Sequence, residues 1–390
     1  MSEVNFELVK SVFLTAIRRV INPSCETPLN IDSLTVEEEK ALFLLAKKHD
    51  LAHLVFYGLK ELQFPLSETA KKNFKNAEML AVMRYEQLRY EYEQILETFN
   101  AEKIPFVPLK GSILREHYAE PWLRTSCDID ILIHENDLDR AVKVLVERQN
   151  YQAESKNYHD ISLYSQSNVH LELHFSILET MENIDCLLAR VWDYTFLKEQ
   201  GLYEYRQTNE YLAFHLIAHL LYHFLNGGCG VRTIIDLWLV HKKLPLDDTV
   251  LNGFLQECGI EKFYQVIMQT AKVWLEGDTP NEQILEVQEY VLSGGVYGSF
   301  KNKMKVAGTK VTSKKAYALQ RIFQPYDKIK NRYPILNKHK WLLPFCEVAR
   351  WVEVLFKGRA TTLKTELQTM QSSTEEEKDE FKEFLAELGL

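Results

Sequence analysis

Residues 105 to 135 read PFVPLKGSILREHYAEPWLRTSCDIDILIHE, and they hold the residues best suited to chemistry. A short apolar run ends in Lys110-Gly111-Ser112. After a gap of fifteen residues Asp128-Ile129-Asp130 opens a second apolar run, and a third carboxylate follows at Glu172 in NVHLELHF. Two acids at i and i+2 on a strand point to one face, because strand side chains alternate. Side-by-side carboxylates repel unless a cation sits between them, and Mg²⁺ is the usual one when the substrate carries phosphate. A Gly-Ser turn offers backbone N–H groups and a hydroxyl to phosphate oxygens. Together these features suggest metal-assisted transfer of a nucleotide.

The chemistry explains the residue types. A hydroxyl attacks the α-phosphorus of a nucleoside triphosphate and pyrophosphate leaves. Two Mg²⁺ ions about 3.5–4 Å apart stabilise the attacking and leaving oxygens. They need several carboxylate oxygens from rigid strands. Asp128 and Asp130 are expected to hold metal, with Glu172 completing the site as ligand or base. The plainer alternative is a set of solvent-facing acids on an edge strand. The apolar Ile131-Leu132-Ile133 that follows argues for a central strand, where an acid needs a partner.

The pattern resembles the polymerase-β-like nucleotidyltransferase superfamily. Within it, the chain is most similar to a bacterial group described as uncharacterised nucleotidyltransferases. The matching residues are Leu109-Lys110-Gly111, Arg124, Asp128-x-Asp130 and Glu172-Leu173-His174. The resemblance implies an enzyme that uses an NTP and Mg²⁺, with Lys110, Gly111, Ser112 and Arg124 on the phosphates. It implies that His174 orients Glu172 or touches the acceptor. The superfamily more often places an apolar residue before the glycine, where this chain has Lys110. For Arg124 a salt bridge, to Glu120 or to the aspartates themselves, is an equal reading.

Other residues invite competing readings. His215, His219 and His223 are spaced i, i+4, i+8 and share one helix face. Such a row binds zinc, lines a nucleotide or acceptor cleft at His219, or forms hydrogen bonds in the core. Arg232 and Asp236, also four apart, are expected to pair. His170 reads as a surface residue.

The elements that must position these groups fall into three stretches. Residues 1–100 read as a helical region, with a capping start at Thr35 and a long helix from Ser67 to about Asn100. Residues 101–180 read as the catalytic domain. It has strands at Ile104–Leu109 and Asp128–Ile133, and a hairpin of Ile161–Tyr164 and Val169–Phe175 across Ser165–Asn168. Its helices are expected from Ser112 to Tyr118 and from Asn136 to Asn150, the second capped by Asn136. Residues 181–390 read as helical, ending in a solvated acidic helix, STEEEKDEFKEFLAELGL. The fold class is α+β: a small mixed sheet embedded between helical N- and C-terminal regions.

Composition sets the remaining bounds. The 390 residues allow about two or three domains. Six dispersed cysteines form no Cys-x-x-Cys and no disulfide framework, and the start of the chain lacks a signal-peptide layout, which fits a cytoplasmic protein. No apolar run is long enough to span a membrane. There is no Walker loop, nucleophile elbow or kinase signature. The net charge is −9, yet residues 301–340 carry twelve Lys/Arg and one acid. That block is a solvated face or steers an RNA or other phosphate-rich partner. The acidic remainder favours a small-molecule, peptide or protein acceptor over nucleic acid. The rival from another class is a catalytically silent nucleotide-binding or protein-interaction module on the same fold.

Overall fold

The structure, a computed structural model, describes residues 4–26, 31–154, 156–296, 298–309, 326, 329, 333–356 and 375–390. Residues 310–325, 327–328 and 330–332 of the basic stretch 301–340 therefore lie outside the described residues.

Local sequence signals start the first helices. Helices α1 (Phe6–Ile21), α2 (Val36–Lys48), α3 (Ala52–Glu61) and α4 (Glu68–Ala101) lead the chain. Thr35 and Glu38 close a reciprocal capping box at α2, satisfying two otherwise unpaired N–H groups. Ser67 caps α4, accepting from the Ala70 N–H, while Glu39 accepts from the Ser67 N–H at 2.7 Å. Helices α1 and α3 pack at backbone contact. A Cβ on Gly58 would sit 2.0 Å from the Ala16 carbonyl oxygen, so only glycine fits there.

The pattern then changes to a sheet. Strand β1 (Phe106–Pro108) leads through the one-turn helix α5 (Gly111–Leu114) to β2 (Asp128–Ile133). Helix α6 (Leu138–Gln149) connects to β3 (Gln152–Ala153), β4 (Asp160–Tyr164) and β5 (His170–His174). The strand order is β1-β2-β5-β4-β3, with β2 and β5 parallel and the other pairs antiparallel. Thus β2 is central, as its apolar run requires. Alternation splits the sheet into two faces. Ile129, Ile131, Ile133, Leu171 and Leu173 point to one side and share a core with Leu88, Ile95 and Phe99 of α4 and Leu138, Ala141 and Leu145 of α6. The acids point to the other side.

Two expected helices differ from the structure. The segment after Gly111 makes one α turn and then a 3₁₀ turn at Arg115–His117 instead of running to Tyr118. Arg115 is drawn inward there, its Nε donating to the Gly111 carbonyl at 2.8 Å. Asn136 does not cap α6. It lies inside a 3₁₀ turn, Glu135–Asp137, and Asp137 precedes the helix without a side-chain cap. Strand β1 is shorter than expected, flanked by Pro105 and ending at Pro108, neither of which can donate to a ladder.

The C-terminal half continues with α7 (Glu182–Leu188), a two-stranded sheet β6 (Thr195–Leu197) and β7 (Tyr205–Gln207), and helices α8 (Asn209–Phe224), α9 (Val231–Lys243), α10 (Asp248–Cys258), α11 (Glu261–Glu276), α12 (Glu282–Gly294) and α13 (Phe300–Thr309). Helices α14 (Leu343–Phe356) and α15 (Glu375–Glu387) follow. One large core joins α1 and α3 to α8, α9 and α11, and takes in Val107, Leu114 and Leu123 from the site-bearing segment. Helix α15 is not a solvated end. Its Phe381, Phe384 and Leu385 are buried in that core beside Tyr290 and Phe224, because its apolar residues recur at helical spacing behind an acidic face. All six cysteines are free thiols. No helix among the described residues is long and apolar enough to cross a membrane.

Candidate active site

Pairing register brings the acids together. In the parallel β2–β5 ladder Asp128 lies opposite His170, Asp130 opposite Glu172, and Leu132 opposite His174. Three carboxylates and two imidazoles therefore share one face of two adjacent strands. Two overlapping sets of donor atoms each lie within 4.8 Å: Asp128, His170 and Glu172, and Asp130, Glu172 and His174. His174 Nε2 is 3.2 Å from Asp130 Oδ1 and 3.4 Å from Glu172 Oε2. This oxygen-rich, half-buried donor set fits a hard divalent cation.

The electrostatics are those of a site built around positive charge. Burial, together with Asp130 and Glu172, pushes Asp128 up to about 7, against Lys110 and Arg232. Burial also opposes ionisation of Asp130, but the hydrogen bond from His174 and the charges of His174, Lys110 and His219 outweigh it and hold Asp130 at about 2. Burial works against a charged His174, and its hydrogen bonds to Asp130 and Glu172 overcome this, raising it to about 9. The imidazolium thus bridges two carboxylates.

The turn before α5 is held to the aspartate strand. The Leu109 N–H donates to the Asp130 carbonyl at 3.0 Å. Arg115 donates to the Gly111 carbonyl and, at 3.1 Å, to Ser126 Oγ, which donates to the Asp128 carbonyl at 3.0 Å. A Cβ on Gly111 would stand 3.2 Å from Arg124 Nη1 and 3.3 Å from Ser126, so glycine lets this packing close. Ser112 Oγ is buried with no hydrogen-bond partner. Lys110 adopts φ 27°, ψ −93°, a strained conformation for a residue with a Cβ.

Lys110 enters a cavity of about 200 Å³ between the sheet and α8. The cavity is lined by Asp130, Glu172 and His174 from the sheet, His215 and His219 from α8, and Tyr158, His159, Glu179 and Tyr222. Lys110 Nζ lies 3.0 Å from His219 Nδ1, and Glu179 Oε1 lies 2.5 Å from the same nitrogen. The histidine row does not act as a unit. His215 turns to Gln207 at 3.2 Å, while His223 Nε2 meets His219 Nε2 at 3.1 Å. Burial first, then the charge of Lys110, holds His215 and His219 well below the usual histidine range. A larger cavity of about 730 Å³, lined by residues of α12, α13 and α15, includes none of Asp128, Asp130 and Glu172.

Arg124 does not reach this cavity. Its guanidinium is buried in a bidentate pair with Asp236 of α9, at 2.9 and 2.7 Å. The salt-bridge reading of Arg124 holds with a different partner from Glu120 or the site aspartates: Asp236 neutralises the buried guanidinium, which braces the turn behind Gly111. The expected Arg232–Asp236 pair is absent for the same reason. Arg232 Nη1 instead meets the Thr125 carbonyl at 2.7 Å and Asp50 Oδ2 at 3.0 Å. His170 is not a plain surface residue: it is 22% exposed, stacks on Tyr164 and faces Glu172. Sequence reasoning gave Arg232 the wrong partner and missed Arg115, Arg84, which donates to the Ser126 and Cys127 carbonyls, and the cavity residues Tyr158, His159, Glu179 and Tyr222. Their only sequence signal is polarity near an apolar run, and tertiary packing does the rest.

No match to the chain is found among curated proteins. The sequence profile of a family described as uncharacterised nucleotidyltransferases matches residues 36–276, from α2 through α11. That span holds the whole sheet, both aspartates, Glu172, Lys110 and the α8 histidines. The chain belongs to this family of uncharacterised nucleotidyltransferases.

Proposed function

We propose that the protein is a divalent-cation-dependent enzyme that moves a nucleoside monophosphate from an NTP to a hydroxyl of a small molecule, peptide or protein. The observation that carries this reading is the ladder register. It sets Asp130 beside Glu172 and Asp128 two residues away on the same face, with Lys110 as the nearby cation. Fixed carboxylates at this spacing suit Mg²⁺ and a triphosphate far better than they suit each other.

Asp128, Asp130 and Glu172 would hold the cation, which when bound neutralises charge on the triphosphate and on the leaving group. Lys110, the Gly111 N–H and the Ser112 hydroxyl bind phosphate oxygens, while the Ser112 N–H closes the turn on the Leu109 carbonyl. The acceptor hydroxyl approaches from the cavity side and its oxygen bonds to the α-phosphorus. The bond between the α-phosphorus and the bridging oxygen breaks, and pyrophosphate departs with that electron pair. The hydroxyl proton passes to Glu179, a cavity carboxylate outside both donor sets that His219 holds in place. Residues 101–180 act as the catalytic domain between helical regions 1–100 and 181–390, with α8 closing the acceptor side.

A thermal-shift titration with ATP, GTP, CTP and UTP, each with and without Mg²⁺, tests the reading on wild type and Asp130→Ala. A ligand at a hundredfold excess over its dissociation constant stabilises the folded state by about 2.7 kcal/mol. The expected result is a Mg²⁺-dependent shift that Asp130→Ala abolishes while remaining folded. No shift with any nucleotide would favour the silent module.

A further inference from the structure

The metal-facing donors are not all oxygens. Glu172 sits between two imidazoles and turns one oxygen to each: Oε2 is 3.4 Å from His174 Nε2, and Oε1 is 3.9 Å from His170 Nδ1. Register places the two rings opposite Leu132 and Asp128, so the rings flank the carboxylate row along β5. Each set of converging atoms therefore has one imidazole nitrogen and two carboxylates, with Glu172 shared between them.

Distances within one set suit a six-coordinate ion. Ligands at about 2.1 Å and right angles stand about 3 Å apart. His174 Nε2 lies 3.2 Å from Asp130 Oδ1 and 3.4 Å from Glu172 Oε2. The far nitrogens, His174 Nδ1 and His170 Nε2, are buried without a hydrogen-bond partner. No protein acceptor holds the tautomer from behind, so the ring state is decided at the carboxylate end. There a bound cation would take the place of the proton on His174 Nε2 and use the lone pair that proton occupies. Oxygen-only sets suit Mg²⁺, whereas imidazole recruits first-row transition ions. Paired Glu and His donors sharing carboxylates are how di-iron and di-manganese sites are built in helical bundles. Here a strand supplies the same donor types at i and i+2.

We propose that Glu172 bridges two cation positions, each completed by a histidine (His170 with Asp128, His174 with Asp130), and that the site selects Mn²⁺ over Mg²⁺. This rests on the cation site put forward above and specifies its metal.

The probe is Mn²⁺ itself, titrated into the full chain with and without inorganic pyrophosphate. Loss of the free-ion EPR signal counts bound ions, and Mg²⁺ competition gives the affinity ratio. Pulsed EPR reads ¹⁴N coupling from imidazole. Wild type is expected to bind two Mn²⁺, to prefer Mn²⁺ at least tenfold, and to show nitrogen coupling. His170→Gln and His174→Gln should each remove one nitrogen contribution and shrink the preference, and thermal melts identify any variant that fails to fold. Asp128→Asn supplies a second handle on the His170 position that leaves both rings intact, and it should drop the stoichiometry to one. A nitrogen-free spectrum from bound Mn²⁺, or an unchanged metal preference in folded histidine variants, would overturn this inference and leave the carboxylate site standing. Binding of neither ion under either condition would overturn both.

Discussion

Arg124 and Asp236 form a bidentate ion pair beneath the Gly111 turn, with Nε 2.9 Å from Oδ1 and Nη2 2.7 Å from Oδ2. Their side chains are 7% and 3% exposed, and Tyr118 Oη donates to Oδ1 at 2.8 Å. Removing one partner strands a buried charge, which typically costs about 3–5 kcal/mol. Asp236→Ala should lower unfolding free energy by that order in urea titrations. Arg124→Met with Asp236→Leu should cost less than Asp236→Ala alone. A loss under about 1 kcal/mol for the single variant would mean the pair does not hold the turn.

Lys110 separates strain from charge. At φ 27° a side chain is costly by about 1–3 kcal/mol, and glycine relieves that. Elsewhere glycine is less stable than alanine by roughly 0.5–1 kcal/mol. Lys110→Gly should therefore be more stable than Lys110→Ala, the reverse of the usual order. Both lose the ammonium group near Asp128 and Asp130, so both should lose nucleotide-induced thermal shifts. If Lys110→Gly melts below Lys110→Ala, the turn is not strained. Nucleotide shifts preserved in both would remove Lys110 from the phosphate site.

The carboxylate strand, the hairpin and the capped helices α2 and α4 were legible because each is local: an alternation, an apolar run or a cap within a few residues. The convergence of Asp130 with Glu172 was legible through the family resemblance and alternation, although the parallel register that fixes it was not. Partner choice was the illegible part. Arg124 takes Asp236, 112 residues away, in place of the nearby Glu120. Arg232 crosses to Asp50, 182 residues away. Helix spacing pointed Arg232 at Asp236, but burial decides which carboxylate a guanidinium needs, and burial is set by the whole fold. The apolar face of α15 was visible in its spacing, yet the acidic residues around it masked its place in the core.

The histidines of α8 give a prediction about what they do not do. His215 is spent on Gln207, and His223 meets His219 edge to face, with ring centroids 4.5 Å apart. Among the described residues the converging sets of donor atoms include none of these three rings, which argues against zinc at the row. His219→Ala should leave the metal content of purified protein unchanged by elemental analysis. It should also free Lys110 and Glu179, which both lean on His219 Nδ1, and so weaken an acceptor more than the nucleotide. Loss of a stoichiometric metal on His219→Ala would restore the zinc reading.

The bridged carboxylates give the metal-free protein a distinctive pH dependence. Asp128 sits at about 7 in the fold against 3.8 outside it, so its ionisation opposes folding. Its stabilising effect is full below about pH 4 and is lost as pH rises through 7. His174, raised from 6.5 to about 9, contributes fully below 6.5 and loses that as pH passes 9, a change of roughly 3 kcal/mol. Asp130, depressed to about 2, acts in the opposite direction: its contribution is present above 3.8 and fades as pH falls through 2. The Asp130 and His174 effects are one interaction seen from its two ends and are not added. Buried histidines held below their usual range, His49, His215 and His219 among them, act in the opposite direction below about pH 6.5, so the two effects are read in EDTA as differences from wild type. Asp128→Asn should remove a loss of stability between about pH 4 and 7, and His174→Gln one between about pH 6.5 and 9. A divalent cation should stabilise most above pH 7, where it meets an ionised Asp128 and competes with the proton on His174. If wild type and Asp128→Asn changed melting temperature in parallel from pH 5 to pH 7 without metal, the three carboxylates would not crowd one another as the ladder register requires.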